Sequence, residues 1–258
     1  MTDYTNRVAF VSAGATGIGY ACAEALVQRG AKVMICARRE DTLQAAVKKL
    51  GENASYVVCD VSERDQMEAA IAATVEKYGK LDFAVNSAGV GVGGTILDLD
   101  DGQMDACIKT NVNGTIYAIQ AQGKAMRENG GGSIVNISSM AAQLPLTRVV
   151  GYSASKAAVD NFTRWLAVEL AVKYGGRIRV NAIAPGFFIA EQNRSLLLKE
   201  DNTLTDRGNT IISQTPMRRF GEPDELISTL LWLCDDRSAF VTGIVVPVDG
   251  GFSAFSGV

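Results

Sequence analysis

Tyr152 stands four residues before Lys156, with Ser139 thirteen residues upstream, in a chain of 258 residues that contains no histidine. The missing histidine removes Ser-His-Asp triads, histidine general bases and histidine metal ligands together. Proton chemistry near neutral pH must then use another side chain shifted into range, and a tyrosine beside a lysine is one way to do so. From Tyr152 to Leu170 the apolar residues Val159, Phe162, Leu166 and Leu170 recur at intervals of three and four. That spacing predicts a helix with Tyr152 and Lys156 on one face. A unit positive charge about 4 Å from a phenolate, at an effective dielectric near 20, is worth roughly 4 kcal/mol, or about three pK units. The phenol is therefore expected to fall from about 10 towards 7. Taken alone, the pair also reads as an ordinary exposed helix start that happens to carry Tyr and Lys.

The elements that must position these groups are visible upstream and downstream. The segment RVAFVSAGATGIGYACAEALVQRG runs from a short apolar strand through a Gly-rich turn into an Ala-rich helix. Gly14, Gly17 and Gly19 would let the backbone approach a pyrophosphate, held by the amides and positive dipole end of the helix. Further apolar runs end in short polar motifs: CDVS from Cys59, NSAG from Asn86, TNVNG from Thr110, NISS from Asn136 and NAIAPG from Asn181. Strand-like runs RVAFVS, KVMICA, SYVV, LDFAVNS, GSIVNIS, IRVNAIA and IVVPVD alternate with helix-length connections. The pattern predicts α/β architecture, a doubly wound sheet of about seven parallel strands with helices on both faces. Ligands in such sheets lie beyond the carboxyl ends of the strands, where the polar motifs fall.

With these motifs in this order, the chain resembles the short-chain dehydrogenase/reductases of the single-domain type, along its whole length. The resemblance implies a Rossmann-like domain spanning 1–258 and a catalytic four of Asn111, Ser139, Tyr152 and Lys156. It implies a dinucleotide site built from Ser12, Gly14, Thr16, Gly17, Ile18, Gly19, Asp60, Val61, Asn86, Ala88, Gly89, Pro185, Gly186 and Phe188, with Tyr152 and Lys156 reaching it too. In the family the lysine lowers the tyrosine's pKa and binds the nicotinamide ribose, while the asparagine helps to hold a proton-relaying water. Three positions depart from the family pattern. Ser12 and Ala13 stand where Thr-Gly is usual, Ser87 replaces the second Asn of NNAG, and Ala190 stands where a threonine commonly contacts the cofactor. If the turn needs a positive φ at Ala13, the alanine costs on the order of 1 kcal/mol.

Cofactor choice turns on the end of the second strand. An NAD site usually carries an acidic residue about twenty positions after the glycines. Here that position is Ala37, followed by Arg38 and Arg39. NADP is therefore expected, with Arg38 on the 2′-phosphate, and NAD is the alternative. The stretch 187–221 lacks a clean period and is read as a substrate lid. It and the C-terminal tail look like the family branch that interconverts D-mannonate and D-fructuronate, so a sugar acid is the expected substrate. Arg194 is the expected carboxylate ligand, with Gln143, Gln192 and Asn193 as hydroxyl partners. Another small polyol or ketone is the alternative substrate, and a catalytically silent sensor of nicotinamide cofactors is the rival from another class.

Composition sets outer bounds that agree. With 47% hydrophobic residues the chain can bury a sizeable core. A net charge of −3 without a basic stripe argues against nucleic-acid binding. No apolar window is long enough to span a bilayer and no signal sequence precedes the first strand, so a cytoplasmic protein with no membrane partner is expected. The five cysteines, widely spaced and without a CxxC pair, read as small buried hydrophobes and not as metal or redox sites. By resemblance, the chain is expected to form a homotetramer or homodimer through the helices that carry Asn111 and Tyr152 and through the C-terminal strand.

Overall fold

In the computed structural model, which describes residues 3–91, 93–189 and 193–257, seven strands form one sheet in the order β3-β2-β1-β4-β5-β6-β7. These are β1 (Val8–Ser12), β2 (Lys32–Ala37), β3 (Ala54–Val58), β4 (Phe83–Asn86), β5 (Gly132–Ile137), β6 (Ile178–Pro185) and β7 (Val245–Val248). Every neighbouring pair is parallel. Parallel pairing demands a crossover between sequential strands. Helices supply it: α1 (Gly17–Val27), α2 (Glu40–Leu50), α3 (Arg64–Tyr78), α4 (Asp101–Cys107), α5 (Gly114–Glu128), α6 (Val150–Tyr174), α7 (Arg194–Leu197), α8 (Asp206–Gln214) and α9 (Ile227–Cys234).

Strands covered on both faces need apolar residues at every position, which is why they read as continuous runs. Along β1 the side chains part to opposite sides: Ala9 and Val11 join one core with Leu26, Leu43, Leu230 and Leu233. Phe10 joins the other with Met67, Ile71, Ile119 and Met126. The outermost strand β7 is only partly buried and carries Pro247, tolerated where one side of the ladder is unpaired. Because β1 is flanked by β2 and β4, the chain reverses its winding between the carboxyl ends of β1 and β4, and a crevice opens there.

The described residues of the stretch 187–221 hold more helix than the sequence suggests. They form α7 and α8, bridged between Leu198 and Leu204, over a small core of Leu197, Ile211 and Phe220. Two helices of four and nine residues are too short for a period to show.

Candidate active site

The crevice begins at Ser12, the last residue of β1, paired in register with Asn86 at the end of β4. The Ser12 hydroxyl is buried and accepts from the backbone N–H groups of Ser87 and Ala88, each at 3.1 Å. It thus ties the Gly-rich turn to the loop after β4. Ala13 adopts φ +52°, so the turn does require a left-handed residue at this position. A Cβ on Gly14 would sit 2.7 Å from the Ile35 side chain, and one on Gly19 would lie 2.3 Å from the Ala13 carbonyl oxygen. Gly14 thus lets the turn lie against β2, and Gly19 lets α1 press onto the turn. Gly17, at φ +57°, faces open space. Thr16 precedes α1 without a side-chain cap, and no acidic residue stands in the first turn. The leading amides and the positive end of the helix are therefore left for an anion, and the cradle fits a pyrophosphate.

Around this cradle, Arg38 is exposed just past the end of β2 and makes no hydrogen bond or ion pair among the described residues. Asp60 turns inward: burial pushes its carboxyl up, but bonds from the Ser62 amide and hydroxyl, with Arg38 and Lys109 nearby, bring the net shift down. Val61 packs against Gly114, where a Cβ would meet it at 3.0 Å. Gly186 lies against Asp249 so closely that a Cβ would approach its Cα to 2.7 Å. Pro185 ends the fully buried β6.

Two residues expected to touch the dinucleotide direct their side chains elsewhere. Asn86 is buried in a polar network: its Nδ2 donates to Gln122 Oε1 (3.1 Å) and Asn136 Oδ1 (2.9 Å), and its Oδ1 accepts from Gln122 Nε2 (2.8 Å). Asn136 in turn donates to Thr163 Oγ1 at 2.9 Å. The network joins β4, β5, α5 and α6 beneath the site, leaving Asn86 only its backbone for a ligand. Phe188 is buried in the core and packs on Gly221.

The four residues expected to be catalytic converge beside the cradle. Between α4 and α5 the helix widens into a π-helical segment, Ile108–Asn113, which carries Asn111. Fully buried, Asn111 clamps the backbone of Val90, accepting from its N–H at 2.8 Å and donating to its carbonyl at 2.9 Å. It also donates to Ser155 Oγ at 2.8 Å, and Ser155 donates to the Tyr152 carbonyl at 2.7 Å. Ser155 is thus a positioning residue that motif reading missed, although it lies inside the YSASK run. The Lys156 ammonium is buried, donates to the Ile137 carbonyl at the end of β5 (2.7 Å) and lies 5.7 Å from the Tyr152 ring centre. A Cβ on Gly89 would come within 3.4 Å of that ammonium, so the loop after β4 closes directly over it. Ser139 follows β5 and starts a short turn of helix, its hydroxyl accepting from the Ala141 amide at 3.1 Å.

The electrostatics correct one expectation. The Tyr152 phenol is pushed up from its ordinary value, chiefly by burial, with a hydrogen bond from Ser139 working against the rise and Cys107 adding to it. Lys156 is pushed down to about 8, again by burial, with Asp160 and Cys107 opposing the fall. Counting only the attraction between the pair omits the desolvation of both charged forms, and in this cleft desolvation is the larger effect. Asp160 is itself buried one helical turn beyond Lys156, where it accepts from the Ser138 hydroxyl and, at 3.4 Å, from Gln143 Nε2.

The described residues among the expected substrate ligands bond to other partners. Arg194 is exposed and donates to Asn202 within the stretch 187–221, with no hydrogen bond or ion pair to Asn111, Ser139, Tyr152 or Lys156 among the described residues. Asn193 donates to the Phe188 carbonyl at 2.8 Å. Gln143 lies on the loop after Ser139, and Gln192 and Ala190 fall outside the described residues. Among the described residues, no group of His, Cys, Asp and Glu could hold a metal ion, no helix is long and apolar enough to cross a membrane, and all five cysteines are buried and outside any disulfide.

A parallel sheet with an anion-binding turn at its switch point, a buried lysine and a tyrosine on one helix face defines a dinucleotide-dependent oxidoreductase. Comparison with known proteins agrees. Residues 13–253 match the family described as Enoyl-(Acyl carrier protein) reductase. The oxidoreductase UxuB of Bacillus subtilis, itself uncharacterized, is 41% identical over 275 residues, covering 99% of this chain and 98% of that one. Among solved structures, a protein assigned as a D-mannonate oxidoreductase from Haemophilus influenzae, with bound NAD, superposes with a TM-score of 0.92 at 34% identity, covering 99% of this chain and 98% of the other. An actinorhodin polyketide ketoreductase variant with NADPH gives 0.88 at 33% identity, over 96% and 98% of the two chains. The chain belongs to the short-chain dehydrogenase/reductases, enzymes that use NAD(P) to interconvert CH–OH and carbonyl groups.

Proposed function

We propose that this protein oxidises or reduces a small sugar acid of the D-mannonate/D-fructuronate class, with NADP(H) preferred, and that Asn111, Ser139, Tyr152 and Lys156 perform the proton chemistry. The observation that carries the reading is the placement of the buried Lys156 ammonium between the Tyr152 ring and the loop at Gly89, beside an uncapped helix start. The bound dinucleotide supplies or accepts the hydride. Tyr152 exchanges a proton with the reacting oxygen, and the Ser139 hydroxyl holds that oxygen in place. Lys156, anchored by the Ile137 carbonyl, keeps two N–H donors for the ribose and supports the phenolate when it forms. The Asn111 clamp on Val90, with its link through Ser155, fixes the helix that carries both groups.

Similar structures hold either cofactor, so the preference rests on this chain's residues 37–39. Ala37 offers no acceptor for a 2′-hydroxyl, while Arg38 is exposed at the strand end and makes no hydrogen bond or ion pair among the described residues. A charge-assisted contact to a 2′-phosphate is worth about 1.5–3 kcal/mol, roughly ten- to hundredfold. Comparing kcat/KM for NADPH and NADH tests this, and Arg38→Ala should erase the preference. A wild-type enzyme that favours NADH would refute it.

The substrate class is supported by the D-mannonate oxidoreductase assignment of the Haemophilus influenzae structure above and by a lid rich in amides and arginines, which suits hydroxyls and a carboxylate better than an acyl chain. Assay of a panel of uronates, aldonates and neutral polyols decides it, and inactivity on every sugar acid would refute it. Trp165, Val168 and Val172 form an exposed apolar stripe on the outer face of α6, 60–80% exposed. This supports a homo-oligomer of a cytoplasmic protein joined through that helix. Light scattering of wild type and Val168→Asp tests the interface, and a monomeric wild type would exclude it.

A further inference from the structure

Four arginines stand in the lid, and three are engaged within it or at its base. Arg194 donates to Asn202, Arg218 donates to the Ser213 carbonyl at 2.6 Å, and Arg219 forks onto Glu225 with both contacts at 2.6 Å. Only Arg207, in the first turn of α8, crosses to the catalytic side. Its Nη2 meets the Thr147 carbonyl at a long 3.3 Å. Thr147 lies on the segment that begins after Ser139 and ends at Tyr152, so this lid cation is bonded to the loop that joins two catalytic residues. Its Nε is buried and has no partner, and no carboxylate pairs with the guanidinium among the described residues. A Cβ on the next residue, Gly208, would lie 2.3 Å from the Leu197 carbonyl oxygen, so α8 is seated directly on α7.

A buried N–H of a charged group is costly to leave unmatched, and a long bond to one carbonyl uses little of the fork's capacity. The edge formed by Nε and an Nη is the geometry that accepts a carboxylate through two parallel bonds. We propose that Arg207, and not Arg194, recognises the substrate's carboxylate, clasping it between α8 and the loop that links Ser139 to Tyr152. The proposal rests on the sugar-acid reading and gives the lid its function: the acid group would draw α8 onto the catalytic loop.

Steady-state kinetics of wild type, Arg207→Met and Arg207→Lys test it, using a sugar acid and its neutral counterpart. Methionine keeps an unbranched apolar stem, and unchanged cofactor affinity checks that the variants are folded. Arg207→Met should raise KM for the acid at least tenfold while leaving the neutral compound within about twofold, and lysine should recover part of the loss. Equal losses on acid and neutral compounds would make Arg207 a latch of the lid and overturn the proposal, as would no loss on either. If wild type turns over only neutral compounds, the sugar-acid reading falls, and D-gluconate is then tried as a competitive inhibitor. Inhibition that Arg207→Met abolishes would uphold carboxylate recognition, and absence of inhibition in wild type, or inhibition that survives in the variant, would overturn it.

Discussion

Ser12→Ala removes one oxygen from the point where the sheet reverses its winding. That oxygen accepts two backbone N–H groups, from Ser87 and Ala88, at 3.1 Å each, while Ser12 itself is 2% exposed. An unmatched buried donor costs about 1–3 kcal/mol. Ser87 and Ala88 are only partly buried, so water reaches their side of the bond and the lower end applies. Two donors then give about 2 kcal/mol, and at roughly 2–4 °C per kcal/mol the melting temperature should fall by about 4–8 °C. Because the bonds join the Gly-rich turn to the loop over Lys156, cofactor affinity should fall as well. Ser12→Thr restores the acceptor and should recover both. Calorimetry with and without cofactor, together with fluorescence titration, measures the two effects. A Ser12→Ala protein melting within about 1 °C of wild type, with unchanged cofactor affinity, would refute this account of the switch point.

Ala13→Gly should act in the opposite direction. An L residue in the left-handed region costs about 1–2 kcal/mol, glycine's extra freedom in the unfolded chain returns about 0.4–1 kcal/mol, and the melting temperature should rise by up to about 6 °C. A lower melting temperature would contradict the strain. Lys156→Met should abolish turnover yet preserve or raise stability at pH 7. Both states carry the charged lysine below pH 8 and the folded state bears its burial, which the fall from 10.5 to about 8 puts at about 3 kcal/mol. Leaving the Ile137 carbonyl unmatched returns about 1–3 kcal/mol of that. As pH rises from 8 to 10.5 the wild-type lysine sheds its proton in the folded state first, so wild type gains stability and overtakes the variant. Chemical denaturation at pH 7 and 10 checks the sign, and a variant less stable at both would contradict it.

Much of the scaffold was legible because a doubly covered parallel sheet requires apolar runs, and each ends in a motif whose polar residues have no place in a core. The seven expected strands coincide with β1 to β7 to within a few residues. Ser139, Tyr152 and Lys156 were legible for the same reason, lying at the end of a strand and on one turn of a helix. What escaped were features that depend on partners distant in sequence. Asn86 reads as a ligand residue at a strand end, but Gln122 and Asn136 claim its side chain, and nothing local marks those partners. The π-helical segment at Asn111 is invisible to any count of helical period. Arg194 and Arg207 are alike in sequence, and only the seating of α8 on α7 separates them. The direction of the Tyr152 shift failed for a physical reason: charge spacing can be read from a helix, whereas burial is set by segments distant in sequence, such as the loop after β4 at Gly91.

The central claim, that Tyr152 exchanges the proton while hydride moves to or from the nicotinamide, is tested most directly by single-turnover absorbance at 340 nm. Purified wild type and Tyr152→Phe are compared at pH 7 on a panel that includes D-mannonate and D-fructuronate. Wild type should turn over, and the variant should lose at least 99% of the rate, about 2.7 kcal/mol of barrier or more. A Tyr152→Phe protein that keeps more than a few percent of the wild-type rate would contradict the claim.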